Sequence, residues 1–322
     1  MSLVEEEPRV ALIDKIIKPD KEITLQEHID KAIGSGEKVI YLEGEFEVDK
    51  PSFSLVRIPD GVELEIVGIG NTVLRGDGAC HVVFVGDEAN VTMSNLKIEG
   101  GNTANTKGRM STANHPGDKL NLFRYLDGGG ISMGNSKVTL VDCAILNNNA
   151  KVCGGGVSIM GGQFFAKSCS FVNNTANDTG SAVDVLCAGS LAHLTKCKFE
   201  DNKANIGGDG NYGAITAFGD TYLIVVDCDF QNQDDMAIDY RYNDQGKSFI
   251  YLENNLLKDA KQITNRPSGN NNTRRITIPA YGELLLRRGK YIKHEDVPRA
   301  SDRFQRENRE YYEDFHKNIV NH

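Results

Sequence analysis

Three carboxylates carry the chemistry most legible in the sequence: Asp209, Asp234 and Asp235. Cleaving a glycosidic bond needs one proton donor and one carboxylate, held about 5 to 9.5 Å apart depending on stereochemistry. Crowded carboxylates raise one another's proton affinity, which makes an acid usable near neutrality. All three residues fall in turns just before similar apolar phrases, so they are the candidate catalytic set. The alternative is an ordinary exposed turn, where Asp is common.

A second group would hold substrate. Asp184 and Asp239 recur at one position of a repeated phrase, and Arg241 lies two residues beyond Asp239, on the same strand face. Tyr212 opens its own repeat phrase and borders that face. Residues 101 to 127 form the largest insertion and bring Arg109, Lys119, Arg124, Phe123 and Tyr125 beside it. Long loops on rigid scaffolds often carry function. Basic side chains suit the carboxylates of an acidic sugar, and a ring face suits a pyranose. In a β-elimination, Arg109, Lys119, Arg124 or Arg241 would serve as the base. The competing reading is a solvated strand face beside a solvated loop. His115 and His193 have no partner at ligand spacing, so no metal is expected. Calcium would enter only with a lyase.

These residues must be positioned by repeats. Gly128-Gly-Gly-Ile-Ser-Met133 aligns with Gly154-Gly-Gly-Val-Ser-Ile159, Gly180-Ser-Ala-Val-Asp-Val185, Tyr212-Gly-Ala-Ile-Thr-Ala217 and Asp235-Met-Ala-Ile-Asp-Tyr240. Each is followed by a second strand, with Cys143, Cys169, Cys197 and Cys228 at spacings of 26, 28 and 31 residues, and then by a polar corner. One such repeat cannot bury its own apolar face, whereas stacked repeats can, as parallel strands about 4.8 Å apart. The reading is an all-β chain: a right-handed parallel β-helix. Ile131, Val157, Val183, Ile215 and Ile238 form an inward column, and the four cysteines another. Ser132, Ser158, Asp184, Thr216 and Asp239 face outward. Asn148, Asn174 and Asn202 stack at a turn, where side-chain amides satisfy backbone groups. The cysteines read as small buried side chains rather than as metal or disulfide sites.

The ends differ. Thr24-Leu-Gln-Glu27 is a capping box opening a helix with Leu25, Ile29, Ala32 and Ile33 on one face. Placed there, it covers the open end of the stack. Residues 1–22 are an N-terminal extension, 23–264 the β-helix with its capping helix, and 265–322 a C-terminal loop, strands and helix. Ile276-Thr-Ile278 and Leu284-Leu-Leu286 are candidate last strands. After Pro298, Ser301 caps a helix with Phe304, Tyr311, Tyr312, Phe315 and Ile319 on one side, covering the C-terminal end or docking elsewhere along the coil.

Composition sets outer bounds. Lys plus Arg is 36 against Asp plus Glu at 45, a net charge of −9, which disfavours nonspecific nucleic-acid or anionic-membrane binding. No eighteen-residue apolar stretch occurs, so no membrane-spanning helix is expected. The first eight residues lack the apolar core of a signal peptide, which leaves a cytoplasmic location open.

The run Ile23–Asp30, Val39–Leu42, Gly61–Leu64 and Val73–Gly76 resembles the opening of pectin-lyase-like β-helix proteins, and the resemblance covers most of residues 20 to 262. Phe171-x-x-Asn174 and Phe199-x-x-Asn202 are similar to repeats of chlamydial polymorphic outer-membrane proteins. Asn232-Gln-Asp-Asp-Met-Ala-Ile238 resembles the Asp-Asp segment of polygalacturonases, with Asp209-Gly210 at the place of that family's first Asp-Gly. That likeness implies Asp234 or Asp235 as general acid, with Asp209 and the other carboxylate activating water. The family's Gly-His-Gly and Arg-Ile-Lys elements are absent. Together these resemblances imply a polysaccharide-cleaving hydrolase or lyase acting on an acidic substrate, outside the cell or at its surface. The alternative is a noncatalytic surface or tail-spike-like module that binds glycans or partners. β-Helices often trimerise, but no residue here marks an interface.

Overall fold

Thr24 accepts the Glu27 amide while the Glu27 side chain accepts the Thr24 amide, so the capping box is complete and the helix α1 (Leu25–Gly34) starts there. Its buried residues, Leu25, Ile29 and Ala32, pack onto the first coils. The structure is a computed structural model, and it describes residues 16–104, 125–204, 213–233, 236–242, 248–258, 262–267, 274–277, 283–287 and 290–291. The C-terminal helix expected after Pro298 lies outside the described residues. Ile16–Ile17 pair in parallel with Tyr41 and Leu42, so the sheet begins within what reads as an extension.

From α1 onward the chain is a parallel β-solenoid of about eight turns. The described strands make a 16-stranded sheet (the long sheet), a 9-stranded sheet (the glycine-led sheet) and a short 3-stranded sheet. Early coils bend as single strands, Glu63–Arg75 and Asn90–Glu99 among them, paired through a register shift. From Lys137 on, each coil breaks at a first corner on a left-handed residue: Asp142, Ser168, Lys196, Asp227 or Asn254, with φ of 52 to 54°. A single residue in that region turns the strand sharply, and Asn and Asp tolerate it best. The second corner repeats the device at Asn147, Asn173, Asp201 and Asn232.

The expected columns are present in register. Ile131, Val157, Val183, Ile215 and Ile238 are neighbours on successive strands, all buried. Cys143, Cys169, Cys197 and Cys228 lie buried one residue after the first corner, as free thiols in sulfur contact with the next coil. Asn255 ends that row, accepting the Cys228 amide at 3.0 Å. Phe171, Phe199 and Phe230 stack at 4.9 and 4.7 Å between ring centroids, with planes within 9° of parallel. The Asn148, Asn174 and Asn202 amides hydrogen-bond one to the next at 3.1 and 3.0 Å, and each also donates to a corner carbonyl.

The last turns depart from the parallel pattern. Arg274–Thr277 pairs antiparallel to Gln262–Pro267, and Glu283–Arg287 antiparallel to Phe249–Glu253, with Lys290–Tyr291 beyond it. Both expected last strands exist, but they pair antiparallel with earlier strands instead of continuing the parallel coil.

Candidate functional site

The chemistry of the described residues gathers on the outer face of the glycine-led sheet. Gly128, Gly154 and Gly180 have φ of 70, 68 and 58°, and each folds the chain tightly against that face. A Cβ on Gly180 would stand 2.6 Å from the Asp184 Cβ, so only glycine fits. The residue preceding each glycine, Asp127, Cys153 or Thr179, therefore joins one column beside Ser132, Ser158 and Asp184.

Hydrogen bonds link parts of the column. Asp127 Oδ1 accepts the Cys153 amide at 2.9 Å. The Thr179 hydroxyl lies 3.1 Å from the Cys153 sulfur and 2.9 Å from Asp184 Oδ1. One hydroxyl proton cannot serve both neighbours. Burial holds the Cys153 thiol protonated, so a consistent chain runs from thiol to hydroxyl to carboxyl. Thr216 Oγ1 accepts the Gly180 amide at 2.9 Å. Asp239 Oδ2 accepts Arg241 Nε at 2.6 Å, and the guanidinium carbon lies 5.8 Å from the centre of the Phe218 ring. Asp184 Oδ2 and the Ser158 and Ser181 hydroxyls are buried with no hydrogen-bond partner among the described residues.

This environment changes proton affinities. Burial raises the Asp127 carboxyl from 3.8 to about 7; the Cys153 amide opposes the rise and the charge of Asp178 adds to it. Asp184 is pushed well above the usual carboxylate range by burial first and by the Asp127 charge second, with Thr179 and Arg241 pulling the other way. The site is a pair of charge-coupled carboxyls that keep a proton near neutrality, with Asp239 and Arg241 further along the same sheet.

The sequence expectations meet this geometry unevenly. Asp184, Thr216 and Asp239 do share one column with Ser132 and Ser158. Two strand spacings, about 9.6 Å, separate the two aspartates. The column is not the solvated face of an open groove, however: all five residues are fully buried. The glycine corners fold over it. At its N-terminal end Phe84, in register with Ser132, packs with Phe53 and stacks on Tyr125 at 5.4 Å. Tyr125 spends its ring face on Phe84, not on a sugar. Asp209, Tyr212, Asp234, Asp235, Arg109, Lys119 and Arg124 lie outside the described residues.

Asp127, Cys153 and Thr179 were not among the sequence candidates. A signal for them existed, because each immediately precedes the glycine of an aligned phrase, the position that the same alignment assigns to Asp234. Among the described residues no cluster of three or more His, Cys, Asp and Glu is placed to hold a metal ion, and no helix is long and apolar enough to cross a membrane. A cleft of about 530 Å³ between α1 and residues 47–59 shares no residue with the acidic column.

Comparison with known proteins adds little. No family model matches the chain, and no curated protein does. Among solved structures, a protein of Parabacteroides merdae that carries the provisional description of a glycosyl hydrolase is similar at 12% identity and a TM-score of 0.27. The match covers 76% of this chain and 98% of that one. A likeness this loose decides nothing about activity.

Proposed function

We propose that the chain is a carbohydrate-active protein that cleaves an acidic polysaccharide at the outer face of its glycine-led sheet, outside the cell or at its surface. The observation that supports this best is Asp127, a carboxyl raised to about 7 beside a second raised carboxyl, Asp184. A glycosidic leaving oxygen needs such a proton donor at neutral pH. In this reading Asp127 joins Asp209, Asp234 and Asp235 as a candidate acid, the remaining carboxylates activating water. Arg241, with Arg109, Lys119 and Arg124 from the insertion, binds the carboxylates of the sugar, while Tyr212, Asp184 and Asp239 contribute contacts to hydroxyls. Should the reaction be an elimination, one of the basic residues takes the C5 proton instead.

One observation favours the second reading, a noncatalytic glycan- or partner-binding module: Asp127, Asp184 and Asp239 are all buried, and a buried carboxyl must be uncovered before it meets a polymer. The test is incubation of wild-type protein and the Asp127→Asn and Asp235→Asn variants with pectins, alginates and glycosaminoglycans. Reducing ends, with 235 nm absorbance for elimination, are expected from the wild type and loss of about a hundredfold or more from a variant that removes the acid. Silence of the wild type across the panel, with retained binding to one polymer, establishes the module instead.

A further inference from the structure

The residue before each corner glycine stands five positions ahead of a member of the buried column: Asp127 before Ser132, Cys153 before Ser158 and Thr179 before Asp184. In the last pair the two side chains bond to each other. Gly180, at φ 58°, folds that coil back until the Thr179 hydroxyl meets Asp184 Oδ1 at 2.9 Å. Its other neighbour is the Cys153 sulfur, at 3.1 Å. Thr179 and Asp184 are both buried.

We propose that Thr179 is a positioning residue: it holds Asp184 by Oδ1, and the neutral carboxyl then donates through Oδ2 to an ether oxygen of a bound sugar. The identity of the sugar rests on the function proposed above; the hydrogen-bond arrangement does not.

The proton count supports this. A hydroxyl has one proton to give. Cys153 keeps its own, because burial first, and the Asp184 and Asp127 charges second, raise the thiol. The thiol therefore donates to Thr179, and Thr179 to Oδ1. An Oδ1 that accepts there leaves the carboxyl proton to the other oxygen. That oxygen, Oδ2, is buried and has no hydrogen-bond partner among the described residues. Ser158, the strand neighbour of Asp184 on this face, has a buried hydroxyl in the same condition. Buried donors left unmade are costly, and an arriving acceptor removes that cost.

The surroundings keep Asp184 neutral. Burial opposes its ionisation most, and the charges of Asp127 and Asp178 oppose it further. Arg241 favours ionisation, but it is paired with Asp239 at 2.6 Å. A charged Asp184 would offer a sugar only an acceptor. The neutral acid offers a donor to ring and glycosidic oxygens, which can only accept.

The carboxylic C=O stretch of Asp184 reads the Thr179 bond directly. It is isolated near neutral pH as the infrared difference between each protein and its Asp184→Asn counterpart. Thr179→Val, which keeps the shape without the hydroxyl, should move the band to higher wavenumber, and Thr179→Ser should restore it. Should Thr179→Val not fold, Cys153→Ser supplies the opposite shift. A hydroxyl donates to Thr179 more strongly than a thiol, and the chain polarises along its length. No carboxylic band, or a band that neither variant moves, overturns the proposal. Binding of oligogalacturonate tests the donor. From neutral to alkaline pH, wild-type affinity should fall about fivefold or more relative to Asp184→Asn, which cannot ionise. Parallel profiles, or wild-type binding that tightens, overturn the donor role. If oligogalacturonate does not bind the wild type, the sugar falls with the function proposed above, and the infrared band alone decides the role of Thr179.

Discussion

Asp127 sets the pH response at the scale of single residues. Its carboxyl binds a proton far more tightly in the folded chain than the ordinary value of 3.8 allows, because burial disfavours the charge. The folded state therefore holds more protons than the unfolded state between about pH 4 and about pH 7, and stability falls as pH rises through that window. The contribution is fully present below 3.8 and is lost as pH passes about 7. Asp127→Asn keeps an oxygen for the Cys153 amide and cannot ionise. Its stability relative to wild type should rise by on the order of 4 kcal/mol from about pH 4 to about pH 8. Asp184 tilts both profiles the same way, less steeply in the variant because the Asp127 charge no longer raises it, so the coupling adds to the difference. Urea melts at the two pH values check this, and parallel profiles would show that Asp127 does not hold its proton. The alignment of phrases reveals that Asp184 shares a column with Asp239. It does not reveal that the column is buried, and burial is what changes the chemistry.

Elements in this fold are short strands joined by corners, and the corners carry the specificity. Asn174 bridges three coils: it donates to the Ile145 carbonyl and to Asn202, and it accepts from Asn148. The glycine corners are tighter still. Gly180 and Gly189 both have left-handed φ, 58 and 87°. A Cβ on Gly180 meets Val183 and Asp184 at 2.6 Å, while on Gly189 it meets nothing within 4 Å. Gly189→Ala should cost about 1–2 kcal/mol, the backbone term alone. Gly180→Ala should cost roughly 1–3 kcal/mol more by forcing the corner off the sheet. Denaturant midpoints separate the two, and equal losses would mean that the corner does not press on Asp184. Gly-Gly phrases and Asn pairs mark these corners plainly in the sequence. The left-handed Ser168 and Lys196 are less legible, because their conformation is imposed by the strands on either side and not by their own preference.

For the whole molecule, a stack of coils is only as stable as its ends. Each coil pairs with its neighbours, and an uncovered terminal coil presents open strand edges and core. Ile29 is fully buried between α1 and the first coils. Ile29→Asp puts an unpaired carboxylate there and should cost about 3 kcal/mol or more while loosening the cap. The expected result is a lowered urea midpoint together with association visible in light scattering. A monodisperse variant with the wild-type midpoint would show that the helix is not what protects that end. At the far end the described strands Arg274–Thr277 and Glu283–Arg287 pair antiparallel with the last coil strands.

The sequence by itself determined the period, the parallel stacking, the capping helix and the membership of each column. These follow from repetition, and a translational repeat is visible in one dimension. Tertiary structure alone decided which outer faces are covered, that Tyr125 is committed to Phe84, that the last strands double back, and that Asp127 and Asp184 keep their protons. Each of these depends on segments far apart in the chain crossing one another. Burial and proton affinity are properties of what lies across a side chain, and no spacing along the chain records that.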